Sequence, residues 1–334
     1  MRWDEIENAL LELVDKKVLI IGDSMLDHYV MGDTHRISPE APVPIIHRVS
    51  EEERLGGAAN VALNIKSLGS HPFLCTMIGV DNEARRFKSL MAANDLPTDF
   101  VASINDRQTT VKTRIIAQNQ HILRIDREET AYLHEAEEIQ FLEMIKAAVD
   151  EIEPDIILLQ DYNKGLLTKN VILNILRIAN KREIFTAVDP KSEHFFDFKG
   201  VDLFKPNLKE ISAALGKNIR PIEAELIPAA QFIENELDNK STIITLSEAG
   251  LYIKQQENTG HIVPTEGKHV ADVSGAGDTV LAVAALLLHA EVEDDICGMV
   301  CNICGSIVCG KVGVSPVDLE EIRKHVRGDI IYEL

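Results

Sequence analysis

Short apolar runs at residues 18–21, 73–78, 156–160, 185–188 and 243–246 recur along the chain, with segments of helical period between them at 57–68, 82–93 and 168–180. Runs of that length without polar alternation suit strands covered on both faces. Strands that alternate with helices join in parallel through crossovers. The expected fold class is therefore α/β, a doubly wound and mostly parallel sheet. Two segments break the rhythm: 28–50 and 101–126 are strand-like, carry turn residues and show no helical period. They are expected to form a small separate β-sheet, a lid within one domain spanning 1–334. At 334 residues the chain exceeds a typical single core, but not by a full second domain.

The most chemically informative stretch is Asp272-Val273-Ser274-Gly275-Ala276-Gly277-Asp278-Thr279, which runs into an apolar helical segment at 280–288. Glycines at a loop-to-helix junction let backbone approach an anion closely, and a helix start offers unpaired N–H groups and the positive end of its dipole. Gly275, Ala276 and Gly277 would supply those N–H groups. A carboxylate beside an anion makes chemical sense if it takes a proton from a hydroxyl attacking a phosphoryl group, which casts Asp278 as a general base. Taken alone, the octet is equally compatible with Asp278 capping a helix.

Together with Gly56-Gly57-Ala58-Ala59-Asn60-Val61-Ala62 near the N-terminus, this octet resembles the ribokinase (PfkB) family of sugar kinases. Gly22-Asp23-Ser24-Met25-Leu26-Asp27 and the segment from Arg36 through Ser38-Pro39-Glu40 to Pro44 are similar to the branch that phosphorylates heptose 7-phosphate at its anomeric hydroxyl. Asn119-Gln120, Leu123-Arg124, Asp161-Tyr162, Asp189-Pro190-Lys191, Pro206-Asn207 with Glu210, and Ser247-Glu248 with Gly250 follow in the family's order, so the resemblance covers nearly the whole chain. It implies a ribokinase-like fold that transfers phosphate from ATP to give the heptose 1,7-bisphosphate, a step toward ADP-heptose for lipopolysaccharide or related envelope glycans. It also implies Mg²⁺ held by Asn207 and Glu210, largely through water. Lys191, Ser247, Glu248, Gly250 and Asn302 would line the nucleotide groove, with segment 302–314 around adenine. A monovalent cation such as K⁺ would sit near Asp272 and Ser274. In such relatives the small sheet covers the sugar and often mates with a second copy, so a homodimer is expected. The heptose enzymes are often fused to a nucleotidyltransferase; 334 residues leave no room for one, and a separate protein is expected to act downstream.

The same positions can be read physically. Asp27 follows the first strand, where open α/β sheets bind ligands, and could accept hydrogen bonds from sugar hydroxyls; it could equally be a loop cap. Gly56 and Gly57 permit close approach to a ring, and Asn60 can both donate to and accept from hydroxyls. The resemblance also counts Asp161 among the sugar-binding residues. Asn207 and Glu210 also have the spacing of a capping box. Mg²⁺ needs only one or two protein carboxylates besides phosphates, so no dense ligand cluster is required.

A net charge of −20, from 34 basic and 54 acidic residues, argues against nucleic acid and anionic membrane as partners. Against that background Arg107, Lys112, Arg114, Arg124 and Arg127 surround a single acid, Asp126, between residues 107 and 127. Lys112 and Arg114 would share a strand face, and with Arg124 and Arg36 they are candidates for reading a phosphate already on the sugar. Basic residues that discourage edge pairing would look the same. The acidic, helical N-terminus (Trp3, Ile6, Leu10, Leu13, Val14) does not resemble a secretory signal, and no apolar run reaches the roughly 20 residues of a membrane span, so a cytoplasmic protein is expected.

Cys297, Cys301 and Cys304 fall along one helix face among small residues, which favours packing over zinc: no second pair at knuckle spacing follows. Gly305 to Val312 nearly spells a Walker A loop, but Val312 stands where Mg²⁺ needs a hydroxyl, so Gly310 reads as a helix stop. Ser315, Pro316 and Asp318 are expected to open another helix, with Ser315 as cap. Gly22-Asp23-Ser24 does not supply the glycines of a dinucleotide site, which argues against a dehydrogenase. Kinases of other sugars or sugar phosphates, and a non-enzymatic sugar or nucleotide sensor, remain as rival readings; a sensor would be expected to have lost the base, and Asp278 is present.

Overall fold

A computed structural model describes residues 3–118, 120–255, 258–265 and 271–327. Asn119, part of one of the motifs above, lies outside the described residues. After an opening helix α1 (Trp3–Leu11), the chain enters β1 (Lys17–Gly22), which is buried at every position beyond Lys17. Two long strands follow, β2 (Ser24–Ile37) and β3 (Pro44–Gly57), then α2 (Ala58–Ser67), β4 (His71–Gly79), α3 (Asn82–Ala93) and β5 (Val101–Ile104). A hairpin, β6 (Thr110–Ala117) and β7 (Gln120–Arg127), leads to α4 (Glu135–Ile152), β8 (Ile156–Gln160), α5 (Lys169–Arg182) and β9 (Phe185–Asp189). The remainder is β10 (Leu203–Phe204), α6 (Leu208–Ala214), α7 (Glu223–Leu237), β11 (Ser241–Thr245), β12 (Leu251–Gln255), β13 (His261–Val263), α8 (Ala276–His289), α9 (Asp294–Cys309) and α10 (Leu319–Arg327).

The main sheet has nine strands in the order β13-β12-β11-β10-β9-β8-β1-β4-β5. Pairing is parallel from β11 through β5, and only the β12 and β13 edge is antiparallel. Strand alternation divides the core. Val18 and Ile20 of β1 join a cluster with α1, α2, α8 and α9, while Leu19 and Ile21 join the opposite cluster with α4, α5 and α7. Helix α8 is buried continuously from Asp278 to Leu288. At roughly 1.5–3 kcal/mol for each fully buried leucine or valine, that packing fixes the helix start against the ends of the strands.

A second sheet has the order β3-β2-β6-β7. It begins at Ser24 and ends at Arg127, wider than expected at both ends. One expectation is corrected: residues 101–104 are not part of it. As β5 they pair in parallel with β4, Thr76 opposite Val101, because Val101 and Ile104 bury their side chains against the main core. The last helix also starts later than expected. Asp318, not Ser315, caps α10, through reciprocal bonds in which Asp318 N–H donates to Glu321 and Glu321 N–H donates to Asp318. Gly310 does terminate α9, whose Cys297, Cys301 and Cys304 are fully buried.

Candidate active site

The parallel strands deliver Asp23, Gln160, Asp189, Lys205 and Thr245 to one edge of the sheet, at their carboxyl ends, where open α/β sheets bind ligands. The N-terminus of α8 points into the same edge. Gly275 caps it in the left-handed region, φ 79°, and a side chain there would meet Asn60 Nδ2 at 2.8 Å. The Ala276 N–H donates to Val273 C=O, whereas those of Gly277 and Asp278 find no acceptor among the described residues. That is a ready anion site.

Asp278 is 2% exposed and its carboxylate is held from three elements. Asn60 Nδ2 of α2 donates to Oδ2 at 2.8 Å, and Gln160 Nε2 at 3.1 Å and Tyr162 OH at 2.9 Å donate to Oδ1. Burial pushes its pKa up to about 6, with Asp189 adding to the rise, while the bonds from Asn60 and Tyr162 and the charge of Lys205 restrain it. A carboxylate tuned in this way accepts protons near neutral pH. Tyr162 is kept in its protonated, donating form chiefly by burial and then by the Asp278 charge.

Beneath the helix start lies a second group that sequence reasoning missed. Lys205, 2% exposed, places Nζ 2.9 Å from Asp189 Oδ2. A methyl group at Gly277 would stand 3.8 Å from that Nζ and 3.6 Å from that oxygen, so the ammonium underlies the anion turn. Burial opposes the Asp189 charge, but Lys205 and Lys191 overcome it and hold the carboxyl below its usual range. Lys191 is tied to Glu210; burial works against its charge, and Asp189 and Glu210 outweigh burial and raise it. Asn60 Oδ1, Gln160 Oε1 and Asp189 Oδ1 are buried without a hydrogen-bond partner, which marks a surface built for polar ligand groups.

Beside the anion turn a cavity of about 330 Å³ is lined by Thr245, Ser247, Glu248, Gly250, Gly277 and Asn302 among others. Four of the residues expected along the nucleotide groove thus share one wall system. Asn302 is oriented by donating to the carbonyls of Val263 and Pro264. A larger hollow, about 800 Å³, opens at the opposite ends of β9 to β11, but its Lys240 and Asp202 pair with each other and it is remote from this chemistry. Asn207 and Glu210 form the reciprocal capping box of α6: Glu210 N–H donates to Asn207 Oδ1 at 2.9 Å and Asn207 N–H to Glu210 Oε2 at 2.8 Å. Among the described residues no group of three or more His, Cys, Asp or Glu could hold a metal. With Asp189 Oδ1 nearby and the Glu210 oxygens already engaged, this donor set fits a Mg²⁺ ion carried on phosphates and touched through water.

The expected sugar-binding residues separate into two groups. Gly56 and Gly57 end β3 opposite Met25 and Ser24, next to Asn60. Asp27 is buried within β2, where Arg114 donates to it. Lys112 turns inward, with Nζ 5.0 Å from the Tyr162 ring centroid. Burial lowers its pKa, and Asp27 opposes that shift. Asp161 spends its oxygens on the backbone N–H groups of Asn163 (2.7 Å) and Lys191 (3.3 Å), and burial pushes it up to about 7, so it shapes the loop that carries Tyr162. Arg124 is solvent-facing and pairs with Asp126 on its own strand. Arg36 is exposed near the outer end of β2, roughly 30 Å beyond Asp27 at about 3.3 Å per residue. Within one chain the structure does not bring Arg36 to the cluster, because the extended strand β2 runs on from Asp27 toward its outer end.

Comparison with known proteins agrees with this geometry. A family model described as pfkB family carbohydrate kinase matches residues 15–321. The bifunctional protein HldE of Helicobacter pylori (strain G27) is 38% identical over 310 residues, 92% of this chain and 65% of the relative. That of Syntrophotalea carbinolica is 34% identical over 319 residues, 96% of this chain and 64% of the relative. The chain therefore spans just under two thirds of the length of these relatives. Among solved structures, phosphofructokinase-2 from Escherichia coli in complex with potassium superimposes with a TM-score of 0.76 at 22% identity, over 93% of this chain and 98% of that one. Arabidopsis thaliana ribokinase complexed with ribose and ATP gives 0.71 at 17% identity, over 93% and 98%. At these identities the likeness establishes a ribokinase-like fold.

Proposed function

The chain belongs to the pfkB family of carbohydrate kinases, and from that membership we propose that it transfers the γ-phosphoryl group of ATP to the anomeric hydroxyl of heptose 7-phosphate, giving the 1,7-bisphosphate and ADP. The observation that carries the reaction type is Asp278: a nearly neutral-pH carboxylate, held by three donors, at the start of a helix whose free N–H groups face the same space. The anomeric O–H would give its proton to Asp278 as its oxygen bonds to the γ-phosphorus and the bond to the β-phosphate oxygen breaks. The N–H groups of Gly275, Gly277 and Asp278, with Lys205 behind them, would stabilise the oxygens of the group in flight. Mg²⁺, when bound, would neutralise charge on the nucleotide phosphates. A monovalent cation such as K⁺ is proposed beside Asp272, whose carboxylate already organises Ser274 and Gly313.

The choice of heptose 7-phosphate is supported by the curated relatives, both named HldE, and by Lys112, which faces the site without a carboxylate partner among the described residues. Exposed Ile37, Val49, Leu123 and Ile125 on the small sheet support pairing of that sheet with a second copy. No helix among the described residues is long and apolar enough to cross a membrane. The reaction is assigned to the cytoplasm, where ATP is at hand. A panel of sugars and sugar phosphates assayed for ADP release tests the reading. Heptose 7-phosphate should give the highest kcat/KM; preference for fructose 6-phosphate, or for any unphosphorylated sugar, would overturn it.

A further inference from the structure

Tyr29 of β2 is 1% exposed and lies between two guanidinium groups, Arg54 Cζ at 5.2 Å and Arg114 Cζ at 5.3 Å from its ring centroid. Arg114 donates to Asp27 on the sugar side. On the other side the Tyr29 hydroxyl accepts from Val314 N–H at 3.0 Å, and Arg54 Nη1 donates to the carbonyls of Val312 at 2.8 Å and Val314 at 3.0 Å. The residue between them, Gly313, donates its N–H to Asp272 Oδ2 at 3.0 Å. Asp272 Oδ1 accepts from both Ser274 N–H and Ser274 Oγ, one residue before the Gly275 cap of α8. Hydrogen bonds and stacked charges therefore run without a gap from Asp27 in the small sheet to the anion turn.

We propose that Tyr29 is a positioning residue that ties the sugar-covering sheet to the phosphoryl-binding turn, so that sugar and nucleotide bind cooperatively. The proposal rests on the kinase reading above. Filling the space over Asp27 fixes Arg114 and the Tyr29 ring; the ring fixes Val314; Val314 and Gly313 fix Asp272 and, with it, the N–H groups of the turn. Coupling of this kind is reciprocal, so nucleotide must tighten sugar by the factor by which sugar tightens nucleotide.

Tyr29→Phe is the discriminating variant, since it keeps the ring between the two guanidinium groups and removes only the acceptor of Val314 N–H. Calorimetry would give Kd for a non-hydrolysable ATP analogue alone and with a saturating acceptor, taken as the sugar phosphate that the wild type turns over best. In the wild type the acceptor should tighten the nucleotide about 5-fold or more, and in Tyr29→Phe that factor should fall to near one, the loss of about one hydrogen bond. Affinity for sugar alone should stay within about 2-fold. Arg54→Met should lower the factor as well. An unchanged factor in Tyr29→Phe, or a wild type without coupling, overturns the proposal. Because the acceptor is chosen by turnover, failure of heptose 7-phosphate as a substrate would sink the substrate reading and leave this test standing.

Discussion

Removing a single hydroxyl should move the pH dependence of kcat/KM. Tyr162 OH donates to Asp278 Oδ1 at 2.9 Å, and its ring is also the neighbour of Lys112 and Lys191. Tyr162→Phe keeps the ring and removes one donor to the charged form of the base. A hydrogen bond to a charged group is worth about 1.5–3 kcal/mol, and relaxation of Asn60 and Gln160 toward the freed oxygen returns part of it. A net loss of about 1.4 kcal/mol raises the Asp278 pKa by about one unit. Its starting value is about 6, set by burial and Asp189 against Asn60, Tyr162 and Lys205. The direction follows from the chemistry. The ionised form is the active one, so a raised pKa costs activity on the acid side and nothing well above the new value. The acid limb of kcat/KM, which reports the free enzyme, should therefore shift from near 6 toward ~7, with ~5-fold lower kcat/KM at pH 6 and little change at pH 8.5. The assay is a pH profile of kcat/KM for the sugar phosphate. An acid limb that stays in place, or a loss that is uniform across pH, would refute the assignment of Asp278 as the titrating base.

Asp278→Asn should retain fold and ATP binding while turnover falls by about 10² to 10⁴, as measured by ADP release and by nucleotide titration. Lys112→Met should raise the KM for the sugar phosphate roughly 10- to 100-fold with ATP little affected, whereas Arg124→Ala, already paired with Asp126 in solvent, should change either constant by less than about 3-fold. Replacing Cys301 and Cys304 together by Ala should cost about 1 to 3 kcal/mol in chemical denaturation; both are fully buried, and stoichiometric zinc in the purified wild type would contradict a packing role.

The architecture was legible because β1, β8 and β9 are mostly apolar without polar alternation and are separated by helical segments, a pattern that suits a sheet covered on both faces. Asp278 drew attention because the two glycines that precede it, Gly275 and Gly277, announce a helix start with backbone N–H groups open to an anion. What escaped notice has a shared cause. Gln160 and Tyr162 flank an acidic residue, Asp161, that drew attention by its charge, yet loop geometry turns Asp161 onto backbone and its neighbours toward the base. Lys205 follows a two-residue strand, and nothing local says that Asp189, from a different strand, will neutralise it. Arg36 stands apart from the cluster within one chain. Motif order says which residues occur, but strand length decides how far they reach, and β2 carries Arg36 away from Asp27. Residues 101–104 resemble lid strand locally, and only their pairing with β4 assigns them to the main sheet.

The central claim is that Asp278 activates the anomeric hydroxyl of a sugar that already carries a phosphate. Incubation of the protein with ATP, Mg²⁺ and heptose 7-phosphate, followed by ³¹P and ¹³C NMR of the product, tests it most directly. The prediction is one new phosphorus resonance coupled to carbon 1, formed in step with ADP, and reduced at least about 100-fold by Asp278→Asn. Phosphorus on any other carbon, or the same product at undiminished rate from the Asn variant, would contradict it.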